Sequence, residues 1–205
     1  MLFRSAKNLK VLYRNMALGF LWSVLNPLVM VAVLSLVFIG FMKADPSFPA
    51  MVFVGLVPFN FFSYCANSCT VSIVNNASLV KKVAFPRQII PVSAIATHVI
   101  DFAAQAGLLA LLLALFPTPG RILGWQLLWL GPVFAVHLGL CVGFGFLVAA
   151  LNVRFRDVQY IVGSLLTVLF WASPILYEPW ETLAQWPAAI RFAYTLNPTA
   201  GSVQA

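Results

Sequence analysis

Charge is what this sequence has least of. Only 8% of its 205 residues are charged, and five of them are acidic. Soluble domains carry about 25% charged residues, so this chain has too little polar surface to cover a soluble fold. Intrinsic disorder is also excluded, because it requires low hydrophobicity and 62% of these residues are hydrophobic. The composition therefore predicts an all-α polytopic membrane protein, a helical bundle.

Cysteine and histidine are equally scarce. The three cysteines all lie inside apolar runs, which indicates small core residues and not a disulfide framework. The two histidines, His98 and His137, lie on different apolar stretches. The sequence contains neither an H-E-x-x-H zinc motif nor a G-x-x-x-x-G-K-S/T phosphate loop. We therefore expect that this chain binds no metal and no cofactor of its own.

Long uncharged stretches separate the few charges. About 20 apolar residues cross a hydrocarbon core of about 30 Å, and five stretches approach or exceed that length. We predict a single membrane domain over residues 1–205. After Tyr177, repeated prolines break the pattern, so residues 178–205 are predicted as an external re-entrant or interfacial segment. The predicted spans cover approximately residues 19–42, 50–74, 91–116, 127–151 and 159–177.

The basic residues are distributed unequally between the two sides of these spans. Nine lie before the first span, between the second and third, or between the fourth and fifth, and three lie on the opposite side. Because Lys and Arg accumulate in cytoplasmic loops, the N-terminus is predicted to be cytoplasmic. The residues that we place at the cytoplasmic interface are Arg14, Arg154, Arg156 and Asp157.

Two cytoplasmic segments allow two interpretations each. Residues 1–17 have apolar and basic positions on different helical faces, typical of an amphipathic helix at the membrane surface. An ordinary positive flank explains the same residues. The loop 75–90 places apolar residues between its charges, which suits a short helix docking on a soluble partner. A solvated positive loop remains the alternative.

Two intramembrane features could carry chemistry. His98 and Asp101 are three residues apart and project from one face of the third span. Intramembrane ionisable groups suggest function, but nothing in the sequence positions a serine or an oxyanion hole for hydrolysis, so a structural polar contact is favoured. Aromatic residues cluster in the second and fifth spans, where they could stack on sugar rings or simply pack.

Several short motifs occur in order along almost the whole chain. They are Tyr13-Arg14-Asn15, Leu18 to Trp22, Leu25-Asn26-Pro27, Asn76 to Arg87, Leu151 to Val158, Phe170 to Ile175, and Leu196-Asn197-Pro198. Together they resemble the membrane permeases of ABC exporters for polysaccharides and polyol phosphates.

The resemblance implies a homodimeric permease that moves a lipid-linked glycan of the O-antigen, capsule or teichoic-acid type across the bacterial inner membrane. It implies a separate ATP-binding subunit, which would hold the ATP and Mg²⁺, and no nucleic-acid partner. The first and fifth spans would line a channel, with Trp22, Asn26, Phe170 and Trp171 as its candidate residues. The loop after the second span would be the coupling helix, with Leu79, Lys81, Lys82, Val83, Phe85, Pro86 and Arg87 as candidates.

One departure and several alternatives accompany this interpretation. The resemblance implies six spans, whereas the sequence ends at Ala205, where the sixth would begin, so we expect a fragment or truncated product. The alternatives are an ABC permease for a small hydrophobic drug or lipid, and a membrane enzyme acting on lipid-linked sugars with Asp101 as acid or base. A secondary transporter would show inverted repeats, and none is visible.

Overall fold

The fold is helical throughout the part of the chain that can be described. The computed structural model describes residues 21–43, 48–82, 86–115, 127–173 and 175. These residues form six α-helices and no strand, which confirms the predicted class. The helices are α1 (Leu21–Met42), α2 (Phe48–Asn75), α3 (Ala77–Lys82), α4 (Ile89–Leu115), α5 (Leu127–Arg154) and α6 (Val158–Ala172).

Four of these helices (α1, α2, α4 and α5) are long and apolar enough to cross a membrane. At a rise of 1.5 Å per residue, the 28-residue α2 and α5 are each about 42 Å long and can extend beyond the hydrocarbon core. The 15-residue α6 is about 22 Å long by the same rise, which is shorter than a span. The predicted fifth span continues to residue 177, of which only Ser173 and Ile175 are described beyond α6.

The helix ends have local causes. Lys43 adopts a left-handed backbone with φ of 56° directly after α1, the conformation that commonly terminates a helix. Asp157 precedes α6 and places negative charge at the positive end of its dipole. Ser173 is extended, with φ −87° and ψ 147°, because the residue before a proline avoids the helical region.

α2 is the central helix of the bundle, because α1, α4, α5 and α6 all pack against it. The core has two parts along α2. One lies toward the C-terminal end of α2 and contains Phe62, Cys65, Cys69 and side chains of α4, α5 and α6. The other lies toward its N-terminal end and includes Val52, Leu56 and Ile175.

The glycines of α5 differ in their surroundings within the chain. Gly139 and Gly143 form a G-x-x-x-G pattern, which predicts close helix packing. In the structure both positions face open space, with no atom within 4 Å of an added methyl. The close approach is at Gly145, where an added methyl would lie 3.0 Å from Cys69 Sγ of α2. The face of α5 that meets α2 carries Cys141, Gly145 and Val148, and Gly139 and Gly143 point away from it.

Large apolar side chains cover the outside of the bundle. Leu36 on α1, Val136 on α5 and Val168 on α6 are 67%, 74% and 64% exposed. A soluble protein rarely exposes so much contiguous apolar surface, whereas a lipid-embedded protein does so on every outer face. These surfaces agree with a multi-pass membrane protein.

Candidate transport site and cytoplasmic face

A stripe of polar residues runs along α2. Asn60, Tyr64, Asn67 and Ser68 follow one another at helical spacings of four, three and one residues, and spacings of three and four place residues on one side of a helix. Asn26 of α1 lies close to Asn60 and Tyr64. One side of this stripe therefore faces a neighbouring span.

His98 of α4 joins this stripe through Ser68. The Ser68 Oγ lies 2.7 Å from His98 Nε2, and His98 Nδ1 lies 3.2 Å from Asp101 Oδ2. Both His98 and Asp101 are largely buried, with side chains 16% and 7% exposed. Sequence reasoning paired His98 with Asp101 and missed Ser68, although the polar spacing along α2 was a signal that could have found it.

The order serine, histidine, carboxylate also occurs in serine hydrolases, but the surroundings differ here. Such an enzyme needs backbone or side-chain donors that stabilise an oxyanion beside the serine. Ser68 lies inside α2, where backbone N–H groups bond to the preceding turn. The arrangement therefore suits an interhelical hydrogen bond between α2 and α4 better than acyl transfer.

Other buried polar side chains connect helices in the same way. Gln105 Nε2 of α4 donates to the Ser23 carbonyl of α1 at 3.1 Å. His137 of α5 lies 3.2 Å, through Nε2, from the Pro58 carbonyl of α2. Asn152 Nδ2, near the end of α5, donates to the Thr70 carbonyl of α2 at 2.9 Å. The last of these bonds places the C-terminal ends of α2 and α5 at the same side of the bundle, as the predicted topology requires.

A cavity of about 260 Å³ opens between α1, α2 and α6. Two of the predicted channel residues, Asn26 and Phe170, line it together with Asn60 and Tyr64. The other two, Trp22 and Trp171, are 47% and 62% exposed on α1 and α6. The structure thus brings two of the four together in one cavity, and the channel-lining role of all four stays a prediction.

The predicted cytoplasmic face has a short helix and exposed charges. After the single residue Asn76, α3 occupies Ala77–Lys82, and a short helix was one of the two interpretations of this loop. Pro86 and Arg87 follow and are exposed, as are Arg154, Arg156 and Asp157 at the junction of α5 and α6. The Arg154 guanidinium lies 5.6 Å from the centre of the Phe155 ring.

Several predicted residues lie outside the described part of the chain. These are the whole segment 1–17, which includes Arg14, then Val83 and Phe85, and the whole segment 178–205. Leu79, Lys81 and Lys82 belong to α3, but their side chains are not described. Among the described residues no three His, Cys, Asp or Glu side chains converge as metal ligands would. The coupling and interface assignments therefore stay predictions.

Comparison of the sequence with known proteins identifies the family of this chain. The sequence profile described as "ABC-2 type transporter" matches residues 4–205. An O-antigen export system permease protein RfbA of Myxococcus xanthus is 36% identical over 193 residues, which cover 94% of this chain and 72% of that protein. Two proteins of the same name from Klebsiella pneumoniae are 30% and 28% identical, each over 96% of this chain and 74% of its own length. With its apolar spans and a family match over almost its whole length, the chain belongs to the ABC-2 type transporter family of membrane proteins.

Proposed function

We propose that this chain is the membrane-spanning permease subunit of an ATP-driven exporter that moves a lipid-linked polysaccharide across the bacterial inner membrane. The observation that carries the proposal is the similarity, over 94–96% of the chain, to three permeases named for O-antigen export. The helical bundle supports it with four helices long enough to span a membrane. The chain's own role is transport and not catalysis.

The energy would come from a partner. The sequence contains no phosphate-binding loop, so ATP and Mg²⁺ belong on a separate ATP-binding subunit. The face available to that subunit includes α3 with the exposed Arg87 and the exposed turn that contains Arg154 and Arg156. A short helix beside exposed cations suits docking in a groove of a soluble partner. Nucleotide-dependent motion of the partner would then favour one of two arrangements of the spans.

The channel would form between two copies of this chain. The outward sides of α1 and α6 are strongly apolar, with Val33 54%, Phe41 80% and Ile161 62% exposed in a single chain. Pairing through α1 and α6 would cover part of this surface and bring Trp22, Asn26, Phe170 and Trp171 of each copy to a shared path. A substrate with many sugar rings suits a path lined by aromatic and amide side chains.

The coupling assignment is tested by replacing Phe85 and Arg87 together, as Phe85→Ala with Arg87→Gln. We expect surface polysaccharide to fall at least about ten-fold while the amount of the protein in the membrane is unchanged, because the spans themselves are untouched. The matched control is Lys43→Gln, which removes one exposed cation at the other end of the bundle and should leave export normal. Normal export in the double variant would refute the coupling assignment.

The substrate assignment is tested by deleting the gene. We expect surface glycan to be lost and its lipid-linked precursor to accumulate inside the cell. A deletion strain with a normal surface glycan and impaired efflux of a small apolar compound would instead favour a permease for drugs or lipids.

A further inference from the structure

The cavity between α1, α2 and α6 is lined by both apolar and polar side chains. Its apolar walls include Met30, Leu56 and Phe170, and its polar groups are the amides of Asn26 and Asn60 and the phenol of Tyr64. Asn60 lies near the middle of α2, about 18 Å from its first residue at 1.5 Å per residue. A polar group at that depth is costly unless it has a polar partner, which suggests that something polar occupies the cavity.

The chemistry of the lining selects a neutral, hydroxyl-rich ligand. Within the described part of the chain, the residues that line the cavity include no charged side chain. Phosphate recognition ordinarily uses Arg, Lys or a helix N-terminus, so a diphosphate group is a poor match. Amides and a phenol both donate to and accept from hydroxyl groups, and the Phe170 ring provides an apolar surface for the C–H groups of a sugar.

Neighbouring side chains hold the polar groups of the cavity in place. The Tyr64 ring lies 5.8 Å, centre to centre, from the His98 ring, and His98 is itself bound by Ser68 and Asp101. Asn26 of α1 lies beside Tyr64 in the cavity lining. Rigid support of this kind reduces the entropy that a binding site loses when it is filled.

The aromatic wall is supported in the same manner. Phe170 makes edge contacts with Phe59 at 5.4 Å and with Trp171 at 5.5 Å between ring centres. Asn60 is only partly buried and lines the cavity beside this wall. Its amide is therefore accessible to a ligand.

We propose that this cavity is a binding subsite for one neutral sugar ring of the transported glycan, with Asn60 and Tyr64 as its hydrogen-bonding residues and Phe170 as its apolar wall. The inference rests on the proposed function and adds a recognition site to it. The volume of about 260 Å³ lies just below the range of about 300–1,000 Å³ for drug-sized ligands, so it suits a single ring and not a longer segment of polymer.

The experiment measures equilibrium binding to the full chain in lipid nanodiscs that contain no glycosidic detergent, because alkyl glycosides would compete for the same subsite. The probes are a fluorescent polyprenyl diphosphate carrying a short neutral oligosaccharide, and the same lipid diphosphate without sugar. Asn60→Leu removes the amide at similar size. Asn67→Leu is the matched control, since Asn67 lies on the same helix but is exposed and donates to the Ser63 carbonyl.

We expect Asn60→Leu to bind the sugar-bearing probe about ten-fold more weakly, the order of magnitude for losing hydrogen bonds to a ligand. The sugar-free probe should bind equally to all variants, and Asn67→Leu should behave as wild type. Tyr64→Phe deletes only one hydroxyl and should also weaken binding of the sugar-bearing probe. It replaces Asn60→Leu as the test if that variant does not fold.

Unchanged affinity in both Asn60→Leu and Tyr64→Phe would overturn the subsite and leave the proposed function intact. Equal binding of the two probes to the wild-type chain would also overturn it, because the protein would then recognise only the lipid diphosphate. In either case, the proposed function is tested separately, by measuring the surface glycan of the deletion strain.

Discussion

Replacing Gly145 by alanine tests the packing of α5 on α2. A methyl group added there would lie 3.0 Å from Cys69 Sγ, 3.3 Å from Cys69 Cβ and 3.5 Å from Ile95 Cδ1. Cys69 is fully buried, so its side chain has little room to move away. The helices must therefore separate slightly or Cys69 must adopt a strained rotamer.

The magnitude follows from two opposing terms. Overpacking a well-packed core costs about 1–3 kcal/mol, whereas alanine in place of glycine favours a helix by up to about 1 kcal/mol. Gly139→Ala on the same helix has the second term only, because nothing lies within 4 Å of its added methyl. The difference in unfolding free energy between the two variants therefore isolates the packing term, and we expect Gly145→Ala to be the less stable by about 1–3 kcal/mol.

The assay is reversible unfolding of the purified chain in mixed micelles of a mild detergent and SDS, followed by tryptophan fluorescence. Adding Cys69→Ala to Gly145→Ala should reduce the loss, because it removes the Sγ atom at 3.0 Å and contacting residues show such coupling. Gly145→Ala unfolding at the same SDS fraction as Gly139→Ala, or at a higher one, would refute the packing described here.

Two further predictions concern side chains at helix contacts inside the bundle. Ser68→Ala removes the 2.7 Å contact with His98 and should lower the stability of the bundle by about 0.6 kcal/mol, the average for an interhelical hydrogen bond in a membrane, and by no more than about 1.7 kcal/mol. The same variant should retain export, and its complete loss of activity in a normally folded chain would revive the membrane-enzyme alternative. The three cysteines are free and at most 1% exposed, so none should react with N-ethylmaleimide until the protein is unfolded in SDS. Mass spectrometry detects the labelling. Rapid labelling of the native chain would contradict the burial of Cys65, Cys69 and Cys141.

The family and class could be predicted from the sequence because they depend on properties that add up along the chain. Few charges and long apolar stretches predict membrane helices wherever those helices pack. The unequal distribution of basic residues predicts orientation in the same local way. The motifs around Asn26, Arg87 and Asp157 indicated an ABC exporter permease, and the family match agrees with them.

The functional geometry could be predicted only in part. His98 and Asp101 lie three residues apart on one helix, so helical spacing alone brings them together. Ser68 is thirty residues from His98, and their contact depends on how α2 and α4 are rotated against each other. The cavity was even harder to predict from the sequence, since its lining residues Asn26, Asn60 and Phe170 come from three different helices.

The sequence by itself determined that this is a helical membrane protein of an exporter family, because composition, charge distribution and short motifs are independent of tertiary contacts. The tertiary structure decided which face of each helix is internal. Gly145 rather than Gly139 packs against α2, and Asn60 faces a cavity while Asn67 is exposed. The physical reason is that almost every face of these helices is apolar, so amphipathic periodicity, which identifies the buried side in soluble proteins, carries little information here.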